Sequence, residues 1–136
     1  VSTALKMITD IERFGDQASD IGDLVYTMPG ERYIKKLEHI TAMGNLAEKM
    51  VRESVDSFIS NNEALANEVI ALDDKMDDLF LTVKKELIEL IKKDGANGDQ
   101  AIELMMVAKY LERIGDHAVN VAEWTKYNET GVHEKF

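Results

Sequence analysis

The sequence predicts an all-α fold, an up-down bundle of long helices. Three observations carry that expectation. Leu, Met, Ala, Glu and Lys dominate long uninterrupted stretches, with few β-branched alternations. The breaks are sparse, with Pro29 as the only proline and Gly95 and Gly98 as the other clear interruption. Between these breaks, apolar residues recur in steps of three and four.

Four helices follow in order. The first spans 1–28 and ends at Pro29-Gly30, where proline cannot continue a helix. The second spans 31–60, with Ile34, Leu37, Val51, Val55 and Phe58 on its inward stripe. Ser60 and Glu63 have capping-box spacing, so Asn61-Asn62 marks a tight helix-helix junction. The third spans 63–93. Its stripe of Leu65, Val69, Leu72, Met76, Leu79, Val83, Leu87 and Leu90 has coiled-coil-like spacing. Asp94-Gly95 is expected to close it as a glycine C-cap, and Asn97 with Gln100 again has capping-box spacing. The fourth helix spans 99–127, and residues 128–136 form a polar, frayed tail. Short loops make neighbouring helices antiparallel. The chain opens inside a periodic helical pattern, which suggests a cut through a larger protein.

Composition bounds the function. The chain has 136 residues, 45% of them hydrophobic, enough for one domain with a core. With 26 acids against 16 bases the formal charge is −10, a surface that repels nucleic acid and anionic membrane and attracts cations or a basic partner. No cysteine is present, so disulfides and thiolate metal sites are excluded. No apolar run approaches membrane-spanning length.

The most informative pattern occurs twice. Ile11-Glu12-Arg13-Phe14-Gly15-Asp16-Gln17-Ala18 returns as Leu111-Glu112-Arg113-Ile114-Gly115-Asp116-His117-Ala118. At about 100° per residue, the fourth helix presents Ala101, Leu104, Met105, Ala108, Leu111, Gly115, Val119 and Ala122 as one stripe. Glu112 falls inside that stripe, Asp116 at its edge, and Glu123 returns to the same side. Arg113 and His117 point away. The first helix repeats the arrangement with Glu12, Asp16 and Asp23.

The third helix carries a matching pair, Asp73 and Asp77, beside Leu72, Met76 and Leu79, while Asp74 and Asp78 lie further round toward solvent. Four carboxylates facing each other would repel strongly. Two readings stay open. A hard or borderline cation (Mg, Mn, Ca or Fe) holds them together through oxygen ligands, or they pair with Lys84, Lys109, Arg113 or Arg52. Mid-helix Gly15 and Gly115 permit close helix approach, beside an ion or against a large neighbour such as Phe80. Met43, Met50, Met76, Met105 and Met106 are read as core filler. His39, His117 and His133 lack the ExxH pattern of di-iron bundles.

The run from Leu111 through Asn120 to Glu123 resembles the signature helix of the PhoU family of phosphate-uptake regulators. Asp73-Asp74-Lys75-Met76-Asp77 resembles that family's middle-helix acidic motif, and Glu12 to Asp23 resembles the signature helix of a preceding repeat. The resemblance implies tandem three-helix repeats. Residues 1–28 would be the last helix of an incomplete first repeat and 29–127 a complete second one. It implies metal ions (Fe, Mn, Mg, Zn or Ca) held by Asp73, Asp77, Glu112 and Asp116, with Glu12 and Asp16 as the matching pair of the incomplete repeat. It further implies a cytoplasmic non-enzyme, without membrane insertion or nucleic-acid binding. Such a protein restrains the phosphate ABC transporter through contact with its ATPase subunit and acts with a sensor histidine kinase. The first helix, with Leu5, Ile8, Ile11 and Gly15 as its stripe, is expected to pack on the other three or on a second copy in a swapped homodimer. Two alternatives are a PhoU-like cytoplasmic domain of a sodium/phosphate cotransporter and a carboxylate-bridged metalloenzyme. The second lacks a histidine ligand or nucleophile.

Overall fold

The computed structural model describes residues 34–129. The predicted first helix, with Glu12, Asp16 and Asp23, lies outside the described residues, as does His133. Three long helices follow one another: α1 (Ile34–Ser60), α2 (Glu63–Lys93) and α3 (Gly98–Glu129), with a short 3-10 turn (Gly95–Asn97) before α3. They correspond to the second, third and fourth predicted helices. Each packs against both others, forming an up-down three-helix bundle with no strand among the described residues. The expected fraying begins later than read, because α3 continues through Asn128 and Glu129.

The α1–α2 junction is as tight as Asn61-Asn62 suggested, but its chemistry differs. Ser60 remains helical and its hydroxyl donates to Asp56 O at 2.6 Å, so it is no cap. Asn61 adopts a left-handed φ of 56°, a conformation asparagine tolerates better than most residues. Asn62 is the N-cap of α2, its side chain accepting from Leu65 N–H at 3.1 Å. At the other end of α2, Asp94 is extended and closes the helix without a left-handed glycine. Its carboxylate accepts from Ala96 N–H at 3.0 Å, nucleating the 3-10 turn. The Asn97 amide donates back to Leu90 O at 2.9 Å, tying the turn to the end of α2.

The core runs along all three helices. Ile40, Met43, Met50, Met76, Leu87, Leu104, Leu111 and Ile114 are among its fully buried side chains. From the α2 stripe, Val69, Met76, Val83, Leu87 and Leu90 are buried, and Leu72 and Leu79 pack partly against them. Met105 also packs partly on the core, but Met106 is 67% exposed. It lies one position round the helix from Met105, outside the buried stripe.

Two polar ties join helices where the apolar pattern gave no warning. His39 Nδ1 donates to Glu86 Oε1 at 2.6 Å, linking α1 to α2. Ser57 and Thr125, both buried, share a hydrogen bond of 3.2 Å between α1 and α3. Their hydroxyls also reach backbone carbonyls: Ser57 donates to Ser54 O and Thr125 to Val121 O. These bonds make the hydroxyls tolerable in the core.

Candidate metal centre

The acidic seam is built outward from the core junction of the three helices. A Cβ placed on Gly115 of α3 would lie 3.5 Å from Met76 of α2 and 3.6 Å from Met50 of α1. Gly115 thus faces two methionines rather than Phe80. One residue further along each chain stand Asp77 and Asp116, so the buried Met76–Gly115 contact brings the acids of α2 and α3 to one seam.

Asp73, Asp77, Glu112 and Asp116 all contribute to the field along that seam. The Asp73 carboxyl is pushed above its ordinary range, first by burial and then by Asp77, Asp116, Asp74 and Glu112. Asp77 is pushed up as well, first by the loss of hydration and then by Glu112, Asp116, Asp74 and Asp78. The separation of Asp77 and Glu112 onto opposite exteriors, which would end the idea of a shared site, does not occur. Burial is uneven, however. The Glu112 side chain is only 16% exposed, Asp73 is half-buried, and Asp77 and Asp116 are exposed. Asp74 and Asp78 face solvent as expected; Glu123, which the helical wheel returned to the side of Glu112, is exposed instead.

One base enters the seam. Lys109 Nζ donates to Glu112 Oε1 at 2.8 Å, and this bond raises the lysine's pKa. The same ammonium lies 5.2 Å from the centroid of the Phe80 ring, bridging α3 to α2. Arg52, also weighed as a partner, pairs with Glu48 on its own helix at 3.5 Å instead. Arg113 and His117 are exposed, as the helical wheel required.

Among the described residues no three His, Asp or Glu side chains are close enough together to hold one ion. The seam nevertheless suits a cation by its donor chemistry. It is all oxygen, and its acids disfavour one another's charge. The Asp73 Oδ1 atom is buried with no hydrogen-bond partner, and an orphaned carboxylate oxygen is costly unless something positive meets it. No described helix is long and apolar enough to cross a membrane.

Comparison with known proteins agrees with the fold. Residues 40–125 match the PhoU domain family. The phosphate-specific transport system accessory protein PhoU homolog of Clostridium acetobutylicum is 37% identical over 131 residues, covering 96% of this chain and 60% of that protein. The protein of the same name in Aquifex aeolicus is 37% identical over 108 residues, covering 79% of this chain and 49% of its own length. The chain thus spans less than two thirds of either relative. The crystal structure of PhoU from Pseudomonas aeruginosa superposes with a TM-score of 0.69 at 20% identity, covering 96% of this chain and 95% of that one, a likeness of fold.

Proposed function

Because this chain belongs to the PhoU domain family, we propose that it is a metal-binding, non-enzymatic regulator of phosphate uptake and phosphate-starvation signalling. Its relatives carry the name of phosphate-transport accessory proteins. In this reading it works in the cytoplasm by docking on the ATPase subunit of a phosphate ABC transporter and on a sensor histidine kinase, as a negative regulator and as a homodimer.

The observation that carries the reading is the seam where Asp73 and Asp77 of α2 and Glu112 and Asp116 of α3 share one field, with Asp73 Oδ1 left without a partner. These four side chains would have to draw together to hold an ion, since no three of them already stand close enough to do so. When bound it supplies positive charge that relieves their repulsion and fastens α2 to α3, which makes occupancy a means of changing the surface offered to a partner. Lys109, which donates to one Glu112 oxygen, would compete with it.

Metal analysis of protein purified without chelator tests the ligand set. The wild-type chain retains Mn or Fe, Asp73→Ala and Glu112→Ala lose it, and Lys109→Met retains more. Near-zero metal in every variant, even after Mn or Fe is added, removes the ligand assignment. Co-purification with the transporter ATPase subunit at high and low phosphate tests the regulatory role. Equal, background recovery under both conditions argues against it.

A further inference from the structure

Burial extends further round α1 and α3 than round α2. Met50, Met76 and Gly115 meet in the core and mark the inward direction on each helix. On α2, every buried side chain lies within about 80° of Met76, at about 100° per residue. On α1, Val51 and Val55 stand about 100° and about 140° from Met50, yet they are only 4% and 5% exposed. Thr41, about 180° from Met50, still has its hydroxyl buried. Glu48, on the same row, keeps its carboxylate in water and pairs with Arg52. On α3, Ile114 and Val121 stand about 100° and about 120° from Gly115 and are fully buried. Lys109 and Asp116, as far round on the flank toward α2, are exposed. Tyr110 and Trp124 lie further round than Val121 and are half-buried. In an up-down bundle α1 and α3 run parallel. Right-handed helices then turn both deeply buried flanks toward the outer side of the α1–α3 groove. Two neighbours bury one stripe of a helix, and burial this far round calls for a fourth element.

We propose that residues 1–28 supply it, as a helix lying antiparallel to α1 along the outer α1–α3 groove. Length selects this occupant. At 1.5 Å per residue, residues 1–28 reach about 42 Å, enough to run beside the whole of α1. Only residues 29–33, with Pro29 and Gly30, separate that segment from Ile34, where α1 begins, so it folds back beside α1. Residues 130–136 extend at most about 25 Å. That falls short of Thr41, about 30 Å from Glu129 along the bundle. Leu5, Ile8, Ile11 and Gly15 offer the apolar stripe that the groove requires. Arg52 and Arg113, exposed along its rim, complement a segment with five acids against two bases. One consequence bears on the acidic seam. The covering helix stands on the opposite flank of α3 from Asp73, Asp77 and Glu112, so Glu12 and Asp16 do not complete that seam and the two copies of the motif stay apart. None of this needs an ion, and the test is run in chelator so that failure of the ion site leaves the placement standing.

The chain has no cysteine and one tryptophan, Trp124, so a single introduced cysteine carries a nitroxide whose short-range quenching reports on that one ring. In the antiparallel placement Lys6 comes level with Trp124, and Asp23 lies about 25 Å further along. Nitroxide on Lys6→Cys quenches Trp124 at least twofold, and reducing the label with ascorbate in the same sample restores the emission. Nitroxide on Asp23→Cys leaves the emission unchanged. Thr9→Cys, one turn from Lys6, quenches as Lys6→Cys does and stands in for it should that variant misfold. Labelled Lys6→Cys/Trp124→Phe chain mixed with unlabelled wild type leaves the wild-type Trp124 bright. Absence of quenching from both Lys6→Cys and Thr9→Cys overturns the placement, as does equal quenching from Asp23→Cys. Quenching in the mixed sample overturns it as well, since the cover then comes from a second copy.

Discussion

Glu112 has Lys109 at 2.8 Å, whereas Asp73 and Asp77 are raised by burial and by carboxylates alone. Raised carboxyl values fix the sign of a pH effect. The folded chain holds these protons more tightly than the unfolded one. Their contribution to stability is therefore fully present below the ordinary aspartate value of 3.8 and is lost as pH rises through the raised folded values. At neutral pH, without metal, both acids thus strain the seam. Asp77→Asn should stabilise the metal-free protein at pH 7 by about 0.5 kcal/mol, the order of like-charge repulsion on helices, and the gain should shrink as pH falls toward 4. Urea denaturation in chelator across that range measures it, and a loss of stability at pH 7 would contradict a repulsive seam. The i, i+4 spacing showed that Asp73 and Asp77 share a face. Lys109's choice of Glu112 was one of several pairings open to the sequence, because a flexible lysine reaches acids three or four positions away in either direction.

Helix ends show where local signals were sufficient and where they misled. The junction at Asn61-Asn62 and the stop at Asp94 lie where the sequence put them, yet both predicted capping details differ. Asn62 rather than Ser60 caps α2, and Asp94 ends it in an extended conformation without a left-handed glycine. Several side chains at such a junction can satisfy the same backbone donors, so spacing locates the end better than it names the cap. Within α3, Gly115 was read as room for an ion or for Phe80, but its neighbours are the two methionines. Their distances of 3.5 and 3.6 Å are ordinary contact. Gly115→Ala should therefore keep the packing and stabilise the chain by about 0.5–1 kcal/mol through helix propensity. Thermal unfolding reads this directly. A fall of more than that amount shows that the helices need the glycine's closeness.

At the scale of the whole bundle, Met50, Met76 and Gly115 bring one residue from each helix to a single point beneath the acids. Met76→Ala should open a cavity there and cost about 2–5 kcal/mol, lowering the denaturant midpoint while circular dichroism stays helical. A change below about 1 kcal/mol would mean that the junction does not organise the core. The His39–Glu86 and Ser57–Thr125 ties brace the same bundle away from the seam. Neither was legible beforehand, because a half-buried histidine and a buried serine resemble surface residues until their partners, 47 and 68 positions away, are known.

The sequence by itself determined the helical class, the bounds of three helices to within a few residues, and the acids that share a face on α2 and α3. Helical periodicity and the free energy of burying apolar stripes act within each segment, so composition and spacing carry them. Packing of the whole bundle settled which stripes oppose, that Met76 and Met50 rather than Phe80 meet Gly115, that Lys109 reaches Glu112, and that Met106 lies bare on the outward face of α3. Those outcomes depend on the rotation of each helix about its axis and on the choice of rotamers at the seam. A repeat of three and four residues constrains these without fixing them.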